Sequence, residues 1–196
     1  MNVAILKHNA GNIYSVVNAV RRIGIEPIVT SDPVMLQQAT HVIIPGQGEA
    51  GNTMQYLKNN GLDTVIRSLT MPVLGICIGM QLMCRFSEEN STDCLGIFDV
   101  DVKKFIPSSH TFKIPQMGWN EITDLKSPLY KGVQEKSFVY FIHSFYVPLC
   151  DETISTTDYI LPYSSGLHKD NFYATQFHPE KSGDVGELIL KNFLSI

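Results

Sequence analysis

The feature that most limits the possible folds is a rhythm in the first hundred residues, where short apolar, β-branched runs alternate with longer amphipathic stretches. Residues 3–6, 27–30, 42–44 and 73–76 have the length and composition of buried strands. Between the first two, residues 12–23 place Ile13, Val16, Val17, Val20 and Ile23 on one helical face, and Gly24 follows as a stop. Further helices are predicted over 33–39, 52–59, 62–68 and 80–86. Strands alternating with helices require a parallel sheet covered on both faces. Such sheets build their sites at the carboxyl ends of the strands.

After Gly96 the pattern changes. Strand-like pieces at 98–102, 119–122, 138–142, 153–160 and 172–176 are separated by proline and polar turns, and helix signals are scarce. An antiparallel flap or second sheet layer is expected there. A closing helix over 184–194 carries Val185, Leu188, Ile189 and Phe193. With no repeat, linker or low-complexity tract, residues 1–196 are expected to form one domain.

Composition removes several classes of function. At 44% hydrophobic and 17% charged residues the chain has a globular composition, and its net charge of −4 offers no field for nucleic acid or an anionic membrane. The longest apolar run, 72–78, is too short to span a bilayer. The first residues read as a strand rather than a signal peptide, so a cytoplasmic location is expected. Thiols there stay reduced, and no two of Cys77, Cys84, Cys94 and Cys150 have C-x-x-C spacing. Neither a disulfide framework nor a metal site is expected, and no cofactor is called for.

Two segments carry chemistry. In Gly75-Ile76-Cys77-Ile78-Gly79 an apolar strand ends and a helix begins directly after the cysteine. A nucleophile on so sharp a turn needs small neighbours, which the two glycines supply. The start of a helix favours the thiolate, and the N–H of Ile78 is aimed where a tetrahedral oxyanion forms. The plain alternative is a buried cysteine that only packs. About a hundred residues later, Gln176-Phe177-His178-Pro179-Glu180 supplies a base and a carboxylate. In an extended segment residues two apart share a face, so Glu180 orients the His178 imidazole, which takes and returns the thiol proton. A surface His-x-Glu pair is the ordinary reading of the same letters. Pro45-Gly46-Gln47-Gly48 follows a strand and offers either a tight turn or a second oxyanion donor. No P-loop spacing accompanies it.

These residues resemble the class I glutamine amidotransferases of the Cys-His-Glu type, and in particular the glutaminase subunits of imidazole glycerol phosphate synthases. Besides residues 74–82 and 176–180, the likeness rests on Asn9-Ala10-Gly11-Asn12, Pro45-Gly46-Gln47-Gly48, Pro115-Gln116-Met117-Gly118-Trp119-Asn120, residues 140–146 and His178-Pro179-Glu180-Lys181-Ser182. The fold implied is α/β: a flavodoxin-like, mostly parallel central sheet flanked by helices, with an antiparallel flap in the second half. The activity implied is hydrolysis of L-glutamine to glutamate and ammonia through a thioester on Cys77, with His178 and Glu180 completing the triad. Ile78 and Gln47 become the oxyanion donors, while Gly46, Gln81, Glu89, Ser144 and Phe145 hold the substrate. The partner implied is a (β/α)8-barrel cyclase in histidine biosynthesis, which receives the ammonia and forms imidazole glycerol phosphate and an aminoimidazole ribonucleotide.

The sequence departs from the family pattern at Lys7-His8-Asn9, Gln47, Glu49-Ala50, Gln116 and Phe145. None removes a catalytic group, but a paralogue supplying ammonia for amidation of surface or flagellar sugars stays open as a reading. So does a partner-dependent binding subunit with little turnover of its own. A cysteine peptidase or deglycase-like relative is disfavoured because Ile78, not a histidine, follows the nucleophile. His143 reads as a hydrogen-bonded structural residue, Trp119 as core, and Lys181, taken without the resemblance, as a solvated lysine. His8, His41, His110 and His168 have no spacing to recommend them.

Overall fold

Successive side chains of a strand point to opposite faces, so a sheet covered on both sides needs unbroken apolar runs. The computed structural model, which describes residues 1–8, 13–107 and 112–196, shows how the chain meets that need. The Asn9-Ala10-Gly11-Asn12 string, the expected helix start at Asn12 and His110 lie outside the described residues. The first half runs β1 (Val3–Leu6), α1 (Ile13–Arg22), β2 (Ile28–Thr30), α2 (Pro33–Gln37), β3 (His41–Ile44), α3 (Ala50–Asn59), α4 (Leu62–Ser68), β4 (Val73–Ile76) and α5 (Ile78–Met83). Ala4, Leu6, Val42, Ile44 and Val73 pack on one face of the sheet with Leu36, Met54, Leu57 and Ile66 of the helices. Their alternate neighbours Val3, Ile5, Ile43, Leu74 and Ile76 pack on the other with Val16, Val20, Ile189 and Phe193.

Helix α1 illustrates why pattern outweighs propensity. Val16, Val17 and Val20 are poor helix formers, each costing up to about 0.7 kcal/mol against alanine. All three are buried against the sheet, and full burial of a valine is worth roughly 1.5–3 kcal/mol. The apolar stripe therefore decides the conformation.

The second half runs β5 (Phe86–Ser87), β6 (Thr92–Asp93), β7 (Asp101–Lys104), β8 (Gln116–Ile122), β9 (Ser137–His143), β10 (Phe145–Tyr146), β11 (Thr153–Tyr159), β12 (Leu161–Lys169), β13 (Phe172–Thr175) and α6 (Gly183–Phe193). The central sheet has the order β11-β12-β13-β4-β3-β1-β2. From β13 to β2 neighbours are parallel, whereas β11 and β12 extend the edge antiparallel. Strands β8 and β9 form a separate antiparallel ribbon, and β10-β7-β5-β6 a small mixed sheet. The antiparallel part is thus spread over three places. Among the described residues no helix is long and apolar enough to cross a membrane.

Two expected elements are corrected, and β12 is a strand that was not expected. The helix over 80–86 starts instead at Ile78 and ends at Met83, and Phe86 belongs to β5. The strand at 98–102 is displaced to Asp101–Lys104. Strand β12 was not predicted, because Pro162, Ser164, Ser165 and Gly166 read as a turn. In the fold, Ser165 Oγ lies 2.9 Å from Ser155 Oγ, which lies 2.7 Å from the Tyr130 hydroxyl. A Cβ at Gly166 would collide with that hydroxyl.

Candidate active site

Three strand ends meet at one point: β3 runs into Pro45–Gly48, β4 into Cys77, and β13 into Gln176–His178. Cys77 occupies the junction of β4 and α5 with φ 52° and ψ −106°, a conformation costing a non-glycine residue of order 1–3 kcal/mol. The surroundings hold it there. Its N–H donates to the Thr175 carbonyl at 2.7 Å, tying the turn to β13. The flanking glycines are there for close approach: a Cβ on Gly79 would land on the Ile44 carbonyl, and one on Gly75 would lie 2.8 Å from the carbonyl carbon of Gly79. Cys77 is 8% exposed, and its sulfur lies 3.7 Å from the Ile142 carbonyl oxygen and 3.6 Å from Gln176 Nε2.

His178 is fixed by its backbone before its ring is considered. Its N–H donates to the Tyr140 carbonyl at 2.9 Å, and its own carbonyl accepts from Ser182 Oγ at 2.7 Å. Ser182 Oγ in turn accepts from the Tyr140 N–H at 3.0 Å. The expected straight segment is corrected, because Pro179–Lys181 forms a 3-10 turn with Pro179 in its first position, where a missing N–H costs nothing. That turn brings Glu180 Oε1 to 2.7 Å from His178 Nδ1, with the side chains 4% and 1% exposed. An ionised carboxylate only accepts, so Nδ1 carries the proton. Nε2 has no hydrogen bond among the described residues. Burial pushes the imidazole toward the neutral form, but the neighbouring Cys77 and Glu180 outweigh it and raise its pKa above the ordinary value.

A cleft of about 240 Å³ opens over the sulfur, lined by Gly48, Cys77, Ile78, Gln81, Glu89, Pro115, Ile142, His143, Ser144 and Phe145. Gln81 places Nε2 3.1 Å from the Phe145 carbonyl and 3.0 Å from Gln176 Oε1. Both of its amide protons are engaged, so Oε1 is the atom left for a ligand. Glu89 Oε2 accepts from the Ala50 N–H at 2.7 Å. Burial, helped by the charge of Glu49, raises the Glu89 pKa against the effect of that N–H. The Phe145 carbonyl accepts from both His143 Nδ1 and Gln81 and is filled, whereas the Ser144 carbonyl accepts only from the Phe105 N–H among the described residues and keeps a second lone pair.

Of the predicted residues, Cys77, Ile78, Gln81, Glu89, Ser144 and Phe145 line the cleft, and His178 and Glu180 sit buried beside Cys77. Gly46 does not line it. A Cβ there would lie 2.8 Å from Cys77 Cβ, so this glycine lets β3 pack against the nucleophile turn. Gln47 is half-buried next to it, and Gly48, at φ 133°, is the turn residue that faces the cleft. His143 is buried and hydrogen-bonded, as read, and in addition lines the cleft. Gln176, just beyond the end of β13, is a site residue that sequence reasoning missed: its Nε2 lies 3.6 Å from the Cys77 sulfur. Trp119 is corrected from core to 55% exposed. Lys181 Nζ lies 5.9 Å from the centroid of the Tyr140 ring, which Trp119 meets edge-on at 6.1 Å. Among the described residues no three His, Cys, Asp or Glu side chains are grouped to hold a metal.

A buried imidazole clamped by a carboxylate beside a cysteine, under a cleft carrying spare oxygen acceptors, suits acyl transfer from a small molecule with an amino group. Residues 5–196 match the family model described as glutamine amidotransferase class-I. The chain is 60% identical over 196 residues to the imidazole glycerol phosphate synthase subunit HisH of Bacteroides thetaiotaomicron, covering 100% of both chains. It is 41% identical over 198 residues to the protein of the same name from Escherichia coli, again covering 100% of both. Among solved structures, a glutamine amidotransferase matches at TM-score 0.74 and 16% identity, over 100% of this chain and 98% of that one. PurLQS from Thermotoga maritima matches at TM-score 0.73 and 15% identity, over 99% and 97%. Likeness at those identities speaks for the fold alone.

Proposed function

Since the chain belongs to the class I glutamine amidotransferases, we propose that it is the glutaminase subunit of an imidazole glycerol phosphate synthase and supplies ammonia from L-glutamine for histidine biosynthesis. The observation that carries this reading is the meeting of Cys77 with the His178–Glu180 pair under a cleft that also holds Gln81 and Glu89. Identity of 60% over the full length of a HisH subunit supports the pathway.

In this reading the sulfur of Cys77 attacks the side-chain amide carbon, while the imidazolium of His178 gives its Nε2 proton to the departing nitrogen. Ammonia leaves and a thioester remains. His178 then takes a proton from water, the hydroxide adds to the thioester carbonyl, and glutamate departs as the sulfur recovers. Glu180 keeps the Nδ1 proton in place throughout. The N–H of Ile78, with one from the Gly46-Gln47-Gly48 turn, faces the negative oxygen of both tetrahedral intermediates. Gln81 Oε1 and Glu89 accept from the substrate ammonium. Protons and electron pairs balance with protein groups, glutamine and one water.

The receiving partner is a (β/α)8-barrel cyclase, and the site of this work is the cytoplasm. The outer face of the β8–β9 ribbon suits such a partner. Met117, Trp119 and Phe138 are 62%, 55% and 53% exposed, and the same face continues through Tyr140 to Ile142 at the cleft. An exposed apolar stripe that reaches the site is a natural seat for the protein that takes the product.

Glutamate release from glutamine, with and without the cyclase, tests the proposal in wild type and Cys77→Ala. Strong stimulation by the partner is expected, with loss of about 10⁴-fold or more in the variant. Turnover that survives the substitution rules out the thioester. Sound hydrolysis with no ammonia transfer to the cyclase points to another acceptor, such as a surface sugar.

A further inference from the structure

Two buried side-chain amides, those of Gln81 and Gln176, fix the environment of the sulfur. The Phe145 carbonyl can only accept, so the Gln81 atom 3.1 Å from it is the NH2 group. That same group lies 3.0 Å from Gln176, which must therefore present Oε1 to it. The other end of the Gln176 amide, its NH2, then points at Cys77 Sγ at 3.6 Å. No flipped arrangement satisfies all three contacts. Gln176 is fully buried and Gln81 is 3% exposed, while the Gln176 N–H is anchored on the Ser165 carbonyl at 2.9 Å. The amide is locked at both its backbone and its far end.

The two hydrogen-bond neighbours of the sulfur have opposite preferences. The Ile142 carbonyl, 3.7 Å away, accepts from S–H and repels an anion. The Gln176 NH2 donates, and a donor favours the anion. We propose that Gln176 is a further catalytic group, which holds the Cys77 sulfur as its anion and aims it into the cleft, and that Gln81 sets its orientation. Gln81 faces the ligand, so the substrate's amino end is connected to the nucleophile through two amides. Loosening Gln81 frees Gln176 to turn its oxygen on the sulfur.

This inference rests on the Cys77 reading above, and a measurement without substrate separates the two. Alkylation of Cys77 by iodoacetamide, located by peptide mass spectrometry, is followed against pH in wild type, Gln176→Met and Gln176→Glu. Met fills the space without a donor, and Glu keeps an acceptor for Gln81 but sets an oxygen against the sulfur. Alkylation at pH 7 is expected to slow about tenfold for Met and further for Glu, with the midpoint of the profile moving to higher pH. A folding defect would expose the buried sulfur and speed alkylation, the opposite of the slowing expected here. If thermal melting shows either variant unfolded, Gln81→Met takes its place, with a smaller slowing expected from the freed amide. An unmoved profile in any folded variant overturns the inference. If that occurs while Cys77→Ala abolishes turnover, only the role of Gln176 falls; if Cys77→Ala remains active, both do.

Discussion

His143 illustrates what one buried side chain contributes to the whole. Its Nδ1 lies 2.6 Å from the Phe145 carbonyl and its Nε2 3.2 Å from the Tyr163 hydroxyl. Burial lowers its pKa to about 4, with the charge of His178 adding and the Phe145 contact opposing. An unfolded histidine titrates near 6.5. Between those values the unfolded chain binds the extra proton, so stability falls as pH drops. The raised pKa of His178 acts in a different window. Its contribution is complete below the unfolded value and fades only as pH rises above it. His8 and His41, whose pKa values burial also lowers, share the acid slope. Denaturant titrations of wild type and His143→Gln at several pH values isolate one residue's share. The wild type is expected to lose about 3 kcal/mol more than the variant across the full window. Equal slopes would place a proton on His143 in the folded chain. The sequence suggested a satisfied histidine here; the Phe145 carbonyl is a local partner, but the Tyr163 hydroxyl comes from β12, which no local pattern connects to it.

At the scale of elements, the nucleophile turn depends on a backbone crossing. Gly79, in the first turn of α5, lies so close to β3 that an added Cβ would meet the Ile44 carbonyl, and backbone there has no room to yield. Gly79→Ala is expected to cost about 1–3 kcal/mol, the usual penalty for overpacking. It should also lower glutaminase activity in the fraction that remains folded, because relief requires moving the residue that follows Ile78. The unfolding midpoint and the activity per folded molecule, measured on one preparation, check both. Unchanged activity at reduced stability would mean that the sheet moves and the turn does not. The strand β4 and the glycines around Cys77 were legible because a buried apolar run and a crowded turn both leave local marks. The end of α5 and the start of β7 were misread for the opposite reason. Met80–Phe86 is apolar enough to extend a helix, and only the backbone of the 93–98 segment, through Leu95, Gly96 and Phe98 donating to Leu82, Cys84 and Met83, closes it early.

For the molecule as a whole, the order β11-β12-β13-β4-β3-β1-β2 brings residues a hundred positions apart to adjacent strand ends. The β8–β9 ribbon is carried past the cleft with its apolar side turned outward. Trp119→Ala is expected to weaken binding of the proposed cyclase partner about 30-fold, as loss of a tryptophan anchor does. Folding stability should change by less than about 0.5 kcal/mol, since half the ring is already in water. Titrating the partner in the glutaminase assay, beside a melting curve, separates these effects; unaltered affinity would move the interface elsewhere. By itself, the amino-acid order determined the alternation of buried strands and helices, the sharp turn at Cys77 and the closeness of His178 to Glu180. Each depends on neighbours within a few residues, where side-chain period, backbone crowding and turn chemistry act. Tertiary structure alone decided that Gly48 rather than Gly46 faces the cleft, that β12 exists, that Trp119 is exposed, and that Gln81 aims Gln176 at the sulfur. Those outcomes rest on contacts between distant segments, and hydrogen bonds across such distances are satisfied only once the sheet has brought the segments together.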